Sequence, residues 1–428
     1  MSLEKPIYII DGLRTPFLKS HHRPGPFSAA DLAVYAGRAL LSRQPFEPQN
    51  LDEVVMGCIM PSENEANIGR IIALRLGCGD HMPGWTVQRN CGSGMQSIDS
   101  ALKDIASGRC DLVLAGGTEA MSRAPLLFNN KMLHWLADWQ SSKSLGAKLK
   151  TLAKIRPNYF SPIIALIRGL TDPLCELGMG QTAEILAYKF NITREEMDAY
   201  SLRSHQRLAK AQAEGHLKEV TAIYDDRGNV YEHDDGVRPD TSMEKLARLK
   251  PLFDRKFGLV TAGNSSQVTD GAAMVVMASE QAVKKYSLPV LGRIVDVEWA
   301  ALSPAIMGLG PVYATTPMLA RNNLKIDDIE YWEINEAFVA TVLACLNAWE
   351  SDDFCREHLG LSRAFGEIDQ SRLNIDGGAV AIGHPVGTSG TRIVLHLLDI
   401  LKRKNAKRGV ATICIGGGQG GAMLLERD

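Results

Sequence analysis

The sequence has no excess of charge of either sign. Its 428 residues include 47 lysines and arginines against 49 aspartates and glutamates, a formal net charge of -2. A general nucleic-acid-binding protein would need a basic field over a whole domain, so that class is not indicated. The apolar fraction of 45% together with the low net charge also excludes a chain that is mainly disordered.

Paired cysteines are also missing. The eight cysteines are scattered singly, with no CxxC pair, and no group of acidic residues or histidines has the spacing of a metal site. We therefore expect neither a disulfide framework nor a bound metal. The chain moves directly into a strand-like run at residues 7–10 without a targeting signal, which indicates a reducing, cytoplasmic location.

Long uninterrupted hydrophobic runs are absent as well. The longest uncharged stretch, residues 299–320, could cross a bilayer by length but contains Pro304, Pro311 and Pro317. We expect it to form a loop-rich segment and not a membrane helix. The sequence also lacks the motifs of phosphate-binding loops (GxxxxGK), zinc proteases (HExxH) and serine hydrolases (GxSxG).

Strand and helix patterns alternate in two separate regions of the chain. The first region has predicted strands at 7–10, 53–56, 85–89 and 112–115, and predicted helices at 29–42, 67–76 and 91–107. The second has predicted strands at 330–334, 374–375 and 409–415, and predicted helices at 337–349 and 388–402. This alternation is typical of an α/β fold with helices on both faces of its strands.

The two regions resemble each other. Ser-Gly at 93–94 precedes an apolar helix, as does Ser-Gly at 389–390, and the buried run 111–117 (DLVLAGG) matches 410–417 (VATICIGG). We infer an internal duplication. It predicts a pair of sheets related by a pseudo-two-fold axis, with the ends of equivalent elements meeting at one central site.

A different pattern separates the two regions. Residues 126–257 keep no strand–helix alternation, and we interpret them as an inserted, mostly helical loop domain. Residues 1–125 and 258–287 are then predicted to form the N-terminal half, and residues 288–428 the C-terminal half. The first third of the insert, residues 126–170, contains seven lysines and arginines but a single aspartate.

Cys91 is the first candidate for chemistry, because it stands between a predicted strand and a predicted helix in the sequence NCGSGM. A thiol at a helix N-terminus experiences the positive end of the helix dipole, which favours the thiolate. A small buried cysteine in a glycine-rich turn accounts for the same pattern. The residues alone leave both interpretations open.

Two further candidates lie in glycine-rich segments. His384 precedes Pro385, which disfavours a helical backbone, and the duplication predicts that it lies opposite Cys91. A single histidine is more often an ordinary core or surface residue, and that alternative stays open. Cys414 ends a buried strand, and the run 416–421 that follows has the GxGxxG pattern of dinucleotide-binding loops. Too few residues follow this run to form the helix that such a loop requires. We expect these glycines to offer N–H groups to an oxyanion beside Cys414.

Taken together, four motifs resemble those of the thiolase family, the acetyl-CoA acyltransferases. They are NCGSG from Asn90, NEAF from Asn335, GHP from Gly383 and CxGGGxG from Cys414, with GGTEAM at 116–121 and TAGNSS at 261–266 in support. The resemblance extends from about residue 11 to about residue 426. It implies the thiolase fold, which has two duplicated five-stranded α/β halves and an inserted, mostly helical loop domain.

The resemblance also implies a role for each matching catalytic residue. Cys91 would be the nucleophile that takes the acyl group, His384 would activate it, and Cys414 would transfer protons as an acid and base. Asn335 would hold a water in one oxyanion hole, and the N–H groups of Cys91 and Gly416 would form the other.

Coenzyme A would act as a co-substrate, with no permanently bound cofactor. By their matching positions, the residues implied to contact it or the acyl chain are Arg238, Phe253, Ser266, Met179, Ala337 and Phe338.

Within the family, the sequence is most similar to the β-subunits of fatty-acid oxidation complexes. Gly178 replaces a histidine of the short-chain biosynthetic branch, and the insert is longer and more basic than theirs. We expect a 3-ketoacyl-CoA thiolase of β-oxidation. The alternatives are a short-chain acetyl-CoA C-acetyltransferase and a non-catalytic structural subunit. A homodimer or homotetramer is expected, with a hydratase–dehydrogenase α-subunit as a candidate partner.

Residues 126–170 allow three interpretations. They form a solvated basic face, or they attract the phosphates of coenzyme A, or they contact anionic lipid or a partner subunit. Trp135, Leu136 and Trp139 at helical spacing and the apolar run 161–170, next to the basic residues, are typical of interfacial segments.

Overall fold

Alternating strands and helices build both ends of the chain in the computed structural model, which describes residues 5–21 and 23–427. The first part contains β1 (Ile7–Arg14), β2 (Leu18–Lys19), α1 (Ala29–Leu41), β3 (Glu53–Gly57), α2 (Ile68–Arg75), β4 (Gly84–Val87), α3 (Ser93–Ala106) and β5 (Leu112–Ala120). The insert contains β6 (Leu126–Leu127), α4 (Asn130–Ser141), α5 (Leu145–Leu152), β7 (Ile163–Ile164), α6 (Ala165–Gly169), α7 (Met179–Lys189), α8 (Arg194–Ala213), β8 (Ile223–Tyr224), β9 (Val230–Tyr231) and α9 (Met243–Ala247). The last part contains β10 (Thr269–Ser279), α10 (Glu280–Tyr286), β11 (Gly292–Ala301), α11 (Gly310–Arg321), β12 (Tyr331–Ile334), α12 (Val339–Glu350), α13 (Asp352–Leu359), α14 (Ala379–Ile382), α15 (Ser389–Lys404), β13 (Arg408–Ile415) and β14 (Gln419–Glu426).

The main strands form one continuous sheet in the order β12-β13-β14-β11-β1-β10-β5-β3-β4, with β2 beside β10. We predicted a pair of sheets related by a pseudo-two-fold axis, and in the structure the two are joined edge to edge by the pairing of β1 with β11. Ile7 lies opposite Ile294, and Ile9 lies opposite Gly292. An unpaired strand edge carries free backbone N–H and C=O groups, and joining the two edges satisfies these groups along the shared boundary.

The internal duplication is visible in the strand directions. On one side β3 is parallel to β5, and β5, β10 and β1 follow as antiparallel neighbours. On the other side β12 is parallel to β13, and β13, β14 and β11 follow in the same way. β4 completes five strands in the N-terminal half.

The fifth strand of the C-terminal half is reduced to one bridge between Trp332 and Leu373. We predicted a short strand at 374–375, but Asn374 has a positive φ of 46° and leaves the strand conformation. Its side-chain amide accepts from the N–H of Ile334 at 2.9 Å and donates to the C=O of Ile334 at 2.9 Å. Two backbone hydrogen bonds, Trp332 N–H to Arg372 O and Asn374 N–H to Trp332 O, remain at this edge, and the Asn374 side chain extends them to Ile334.

The beginnings of α3 and α15 pack directly against each other at the centre of the molecule. The hydroxyl of Thr391 donates to Gly94 O at 3.0 Å. A Cβ added at Gly390 would lie 2.5 Å from Met95 N, and one added at Gly94 would lie 2.8 Å from Gly387 O. The two repeated Ser-Gly pairs thus permit the close approach that brings the equivalent helix ends to one place.

Residues 299–320 contain more regular secondary structure than the sequence predicts. Part of this stretch belongs to β11, and residues 310–320 lie in α11, so the prediction of a loop-rich segment is wrong for most of it. Pro311 occupies the first turn of α11, where no backbone N–H donor is required, while Pro317 is accommodated inside the helix. Among the described residues, no helix combines the length and apolar character needed to span a bilayer.

Buried charges attach the later part of the insert to the sheet. The guanidinium of Arg14 donates to both carboxylate oxygens of Asp234, at 2.7 and 2.8 Å, and to Glu219 at 3.3 Å. Glu219 also contacts His396 of α15 at 3.0 Å. Although burial opposes its charge, Glu219 and Asp376 raise the pKa of His396 to about 10. Paired buried charges of this kind fix the orientation of one element on another.

Candidate active site

Cys91 lies in a tight turn that links β4 to α3. Asn90 adopts a positive φ of 43°, and Ser93 closes the turn by accepting from Arg89 N–H at 2.8 Å and donating to Asn90 O at 2.7 Å. Gly92 is the N-cap residue of α3 and provides no side-chain cap. The turn therefore leaves Cys91 at the open N-terminus of a helix, as its sequence pattern predicted.

Burial raises the pKa of the Cys91 thiol, while the backbone N–H groups of Gly416 and of Cys91 itself oppose this shift. Burial has the larger effect. The sequence pattern predicts that the helix end favours the thiolate, but desolvation outweighs this effect in the structure. A nucleophilic thiol at this position therefore needs a base that removes its proton.

The imidazole of His384 has the properties of such a base. The residue is buried, and its Nδ1 lies 2.6 Å from the hydroxyl of Ser389, which itself donates to Pro385 O at 3.3 Å. With the hydroxyl donating to Pro385, Nδ1 carries the ring proton and Nε2 keeps its lone pair. Among the described residues Nε2 has no hydrogen-bond partner, so its lone pair is free. Burial and Arg392 lower the pKa of His384 to about 3, which keeps the ring neutral before it takes a proton.

Cys414 is a second thiol in the same region. It ends β13 and packs against Met307 and Ala337, with Met179 and Phe338 beside them. Burial and its proximity to Cys91 raise the pKa of Cys414 to about 12. A thiol held neutral in this way is suited to donate a proton to a carbon or sulfur anion formed next to it.

Asn335 and Gly416 follow the ends of two neighbouring parallel strands, β12 and β13. Both the Oδ1 and Nδ2 atoms of Asn335 are buried, and neither has a hydrogen-bond partner within residues 5–21 and 23–427. Its backbone is fixed, because its N–H donates to Thr412 O at 3.0 Å. Gly416 is held by Asn90, whose Nδ2 donates to Gly416 O at 2.7 Å. Buried polar atoms are nearly always satisfied, so the free amide of Asn335 indicates a site for a water or substrate oxygen.

Five of the six residues implied to contact coenzyme A or the acyl chain form one continuous wall. Ser266 N–H donates to Ala337 O at 2.9 Å, and the rings of Phe253 and Phe338 meet edge to face with centroids 5.9 Å apart. Phe338 and Met179 flank the cluster that contains Cys414. The wall therefore leads from the surface, where Phe253 is exposed, to the buried thiol.

Arg238 lies apart from this wall on the exposed surface of the insert. Its backbone N–H donates to His205 Nδ1 at 3.2 Å. Burial lowers the pKa of His205 to about 4, and the positive charges of Arg238 and Lys19 add to this effect. Two cations thus lie close together here.

One residue that shapes the site, Glu336, was not predicted from the sequence. Glu336 accepts hydrogen bonds from Tyr200 and Ser204 on α8, and Asn374 donates to it at 2.8 Å. This fully buried carboxylate fixes the segment that follows Asn335. It belongs to the NEAF motif, but its partners lie far away in the sequence, so no local signal revealed its function.

Family models match nearly the whole chain. The model described as "Thiolase, N-terminal domain" matches residues 7–281, and the one described as "Thiolase, C-terminal domain" matches residues 288–427. The chain belongs to the thiolase family. Thiolases are acyltransferases, and both the predicted family and the predicted fold class are confirmed.

Named relatives agree with this assignment. The chain is 36% identical to a 3-ketoacyl-CoA thiolase of Yersinia pestis over 423 residues, which cover 98% of this chain and 96% of that protein. Human mitochondrial 3-ketoacyl-CoA thiolase, solved in complex with CoA, superposes with a TM-score of 0.84 at 36% identity, covering 100% of this chain and 99% of that one. An acetyl-CoA acetyltransferase from Syntrophomonas wolfei superposes with a TM-score of 0.85 at 31% identity, covering 99% of both chains.

Proposed function

We propose that this thiolase cleaves 3-ketoacyl-CoA with coenzyme A, giving acetyl-CoA and a shortened acyl-CoA. The observation that carries the proposal is the proximity of two thiols, Cys91 and Cys414, beside the packed starts of α3 and α15, with the imidazole of His384 five residues before α15. Cys91 has a neutral thiol, His384 has a free Nε2, and Cys414 is a thiol held in its protonated form. A structural subunit would not need two thiols and an imidazole in these states.

In the first half-reaction, His384 Nε2 accepts the thiol proton of Cys91 and the sulfur attacks the 3-keto carbon. The bond between C2 and C3 then breaks, and its electron pair leaves as the acetyl-CoA enolate. Cys414 donates its proton to C2, so acetyl-CoA departs and the acyl group stays on Cys91. The free amide of Asn335, with a water, and the N–H groups of Cys91 and Gly416 stabilise the two oxygen anions that develop.

In the second half-reaction, the Cys414 thiolate accepts the thiol proton of the incoming coenzyme A. The coenzyme A sulfur attacks the acyl carbon, the bond to Cys91 breaks, and the imidazolium of His384 returns its proton to the Cys91 sulfur. Both residues regain their starting protonation states. Coenzyme A is a co-substrate here, bound along the wall formed by Phe253, Ser266 and Phe338, with Arg238 near its phosphates.

The direct test is a thiolysis assay with short-, medium- and long-chain 3-ketoacyl-CoA substrates. We expect CoA-dependent loss of the 3-ketoacyl chromophore and formation of acetyl-CoA with the longer substrates. Activity restricted to acetoacetyl-CoA would favour the short-chain alternative. No thiolysis of any substrate would contradict the proposal and favour a structural role.

We also infer that the chain divides as predicted at residues 125/126, 257/258 and 287/288, and that it forms a homodimer or homotetramer. The division is supported by the strand pairing of β10 with the N-terminal half and of β11 with the C-terminal half. Light scattering coupled to size-exclusion chromatography measures the oligomeric state, and a monomer at working concentration would contradict this part.

A basic apolar surface, which we define as the exposed side chains of residues 126–170, supports a further proposal about partners. In this segment only Met132 and Thr151 are buried, and all seven of its lysines and arginines are exposed. Of the 20 large apolar side chains that are exposed in the described chain, 11 belong to this segment: Leu126, Leu127, Phe128, Leu133, Leu136, Leu145, Leu149, Leu152, Phe160, Ile164 and Ile167. An exposed apolar patch of this kind marks an interaction site.

Trp135 and Trp139 are half-buried and do not belong to the exposed apolar side chains of this segment. Their rings stack with centroids 5.7 Å apart, and Trp135 Nε1 donates to Thr151 O at 2.8 Å, so they join α4 to α5. The prediction of an interfacial segment therefore depends on its other apolar side chains. Leu145, Leu149 and Leu152 form an exposed stripe along α5 instead, beside the exposed cations.

We propose that the basic apolar surface contacts an anionic lipid bilayer, because cations next to exposed leucines complement both its headgroups and its acyl region. Co-sedimentation with anionic and with zwitterionic vesicles is the test, and we expect binding to the anionic ones alone. Pull-down with a hydratase–dehydrogenase subunit examines the alternative partner. Binding to that subunit without binding to vesicles would replace the membrane proposal.

A further inference from the structure

The buried carboxylate of Glu119 connects two loops beside the site. Glu119 lies in β5 and is fully buried. Its Oε1 accepts from Met60 N–H at 2.9 Å, and its Oε2 accepts from Ile59 N–H at 3.0 Å and from Gly387 N–H at 3.1 Å. One side chain thus holds a loop of the N-terminal half and a loop of the C-terminal half.

Gly387 belongs to the short turn between His384 and the start of α15. The turn is packed closely on β5, since a Cβ at Gly387 would lie 2.6 Å from Glu119 Oε2 and one at Gly117 would lie 2.0 Å from Gly387 O. No larger residue fits at either position without displacement. The carboxylate therefore sets where this turn lies and, through it, where the imidazole of His384 is placed.

Every contact of the carboxylate comes from a donor. The donors are the three backbone N–H groups and the thiol of Cys58, whose sulfur lies 3.7 Å from Oε1. Both oxygens accept hydrogen bonds, which is the arrangement that favours the anion. Burial raises the pKa of Glu119 to about 7, and the three backbone N–H groups and Cys58 oppose this shift.

The charge of Glu119 lies close to the start of α3, because its partner Gly387 packs there: a Cβ added at Gly94 would lie 2.8 Å from Gly387 O. Burial is the main reason for the raised pKa of Cys91, and the negative charge of Glu119 raises it further. Other titratable groups coupled to this cluster are Cys58, which also interacts with Glu65, and Cys414, which interacts with Cys91. Of these groups, Glu119 is the one bound directly to the turn that carries His384.

We propose that Glu119 is a positioning residue with two effects: its hydrogen bond to Gly387 N–H fixes the turn that carries His384, and its negative charge, close to the start of α3, opposes a second negative charge on Cys91. The inference rests on the proposed function, because it assumes that Cys91 and His384 react together. Charge and geometry can be separated by substitution, since glutamine removes the charge and aspartate keeps it on a shorter side chain.

The test compares wild type with Glu119→Gln and Glu119→Asp by thiolysis and by the pH dependence of Cys91 alkylation with iodoacetamide, read by mass spectrometry. We expect both variants to lose about tenfold to a hundredfold in kcat with little change in KM for CoA, the scale of a slightly misplaced catalytic group. The alkylation midpoint should move to lower pH in Glu119→Gln and stay near that of wild type in Glu119→Asp. A merely structural role would not move this midpoint.

Glu65→Gln is the matched control, because Glu65 is also a buried carboxylate, which accepts from Ala30 N–H at 2.7 Å and Ser62 N–H at 3.0 Å. We expect it to retain wild-type kcat and alkylation midpoint. An unchanged midpoint in Glu119→Gln, or a kcat loss no greater than in Glu65→Gln, would overturn the inference. If Glu119→Gln does not fold, wild-type kcat in Glu119→Asp overturns it. Alkylation reports on Cys91 even if wild type shows no thiolysis, so failure of the proposed function is recognised separately.

Discussion

The α/β halves and residues 126–170 place their apolar side chains in opposite environments. All nine residues of β5 and seven of the eight residues of β13 are buried. In α5, by contrast, Leu145 is 76% exposed and only Thr151 is buried. Burial in the halves gives the fixed positions and the low dielectric environment that the site chemistry needs.

Charged side chains around the site are buried in pairs, whereas those of residues 126–170 are exposed. Arg14 and Asp234 are paired and buried, as are Arg392 and Glu333 at 2.7 Å, and these pairs fix elements around the site. The cations of residues 126–170 are exposed instead. One region uses charge for internal order and the other presents it to an external surface. Catalysis and surface binding should therefore be separable by mutation.

Cys91→Ala should have the largest effect on catalysis and none on vesicle binding. We expect thiolysis and covalent labelling by acyl-CoA to be abolished, because the proposed mechanism places the acyl group on Cys91. The fold should remain intact, since the change removes one sulfur atom from a turn. The matched control is Cys175→Ala, a half-buried free thiol outside the site, which should be labelled like wild type. Labelling that persists in Cys91→Ala would place the nucleophile elsewhere.

Cys414→Ala should still accept the acyl group but turn over about 10²–10⁴-fold more slowly, the usual cost of losing an acid/base group. Cys414 acts in both half-reactions, so stopped-flow or quench measurements should show slow formation of acetyl-CoA from 3-ketoacyl-CoA and slow release of the acyl-enzyme. Cys345→Ala provides the control, because Cys345 is a buried thiol that donates to Gly308 O at 3.2 Å. Near-normal turnover in Cys414→Ala would remove this residue from the mechanism.

Asn335→Ala should lower kcat by about 10²–10³-fold, as expected when one oxyanion-stabilising donor is lost. KM for CoA should change little, because Asn335 is not part of the wall that leads to the surface. Steady-state kinetics measure both quantities. A rise in KM with unchanged kcat would mean that the free amide binds substrate and does not stabilise the transition state.

Changing Lys148, Lys150, Lys154 and Arg156 to Gln should leave kcat and KM near wild type and weaken sedimentation with anionic vesicles. The expected loss is about 1 kcal/mol of binding free energy for each cation near the lipid surface. The control changes four exposed lysines outside the segment, Lys189, Lys218, Lys404 and Lys407, to Gln. If wild type binds no vesicles, or the control weakens binding equally, the membrane proposal is wrong. A clear loss of kcat would instead connect these cations to coenzyme A.

Local patterns predicted many elements close to their observed bounds. The helix predicted at 29–42 is observed as Ala29–Leu41, and the strand predicted at 409–415 as Arg408–Ile415. β10, which was not predicted, is buried in ten of its eleven residues and so has no polar–apolar alternation. Periodicity detects half-exposed elements best, and a strand covered on both faces lacks that signal.

The sequence alone determined the family, the duplication and the candidate catalytic residues, because short motifs and a repeated Ser-Gly pair are local properties of the chain. Only the tertiary structure decided the protonation state of Cys91, since burial outweighs the helix end. It also revealed Glu119 as a link between loops separated by more than 300 residues, and the exposed leucines of α5 as a surface. Desolvation and long-range contacts depend on how distant segments pack, and no local pattern records them.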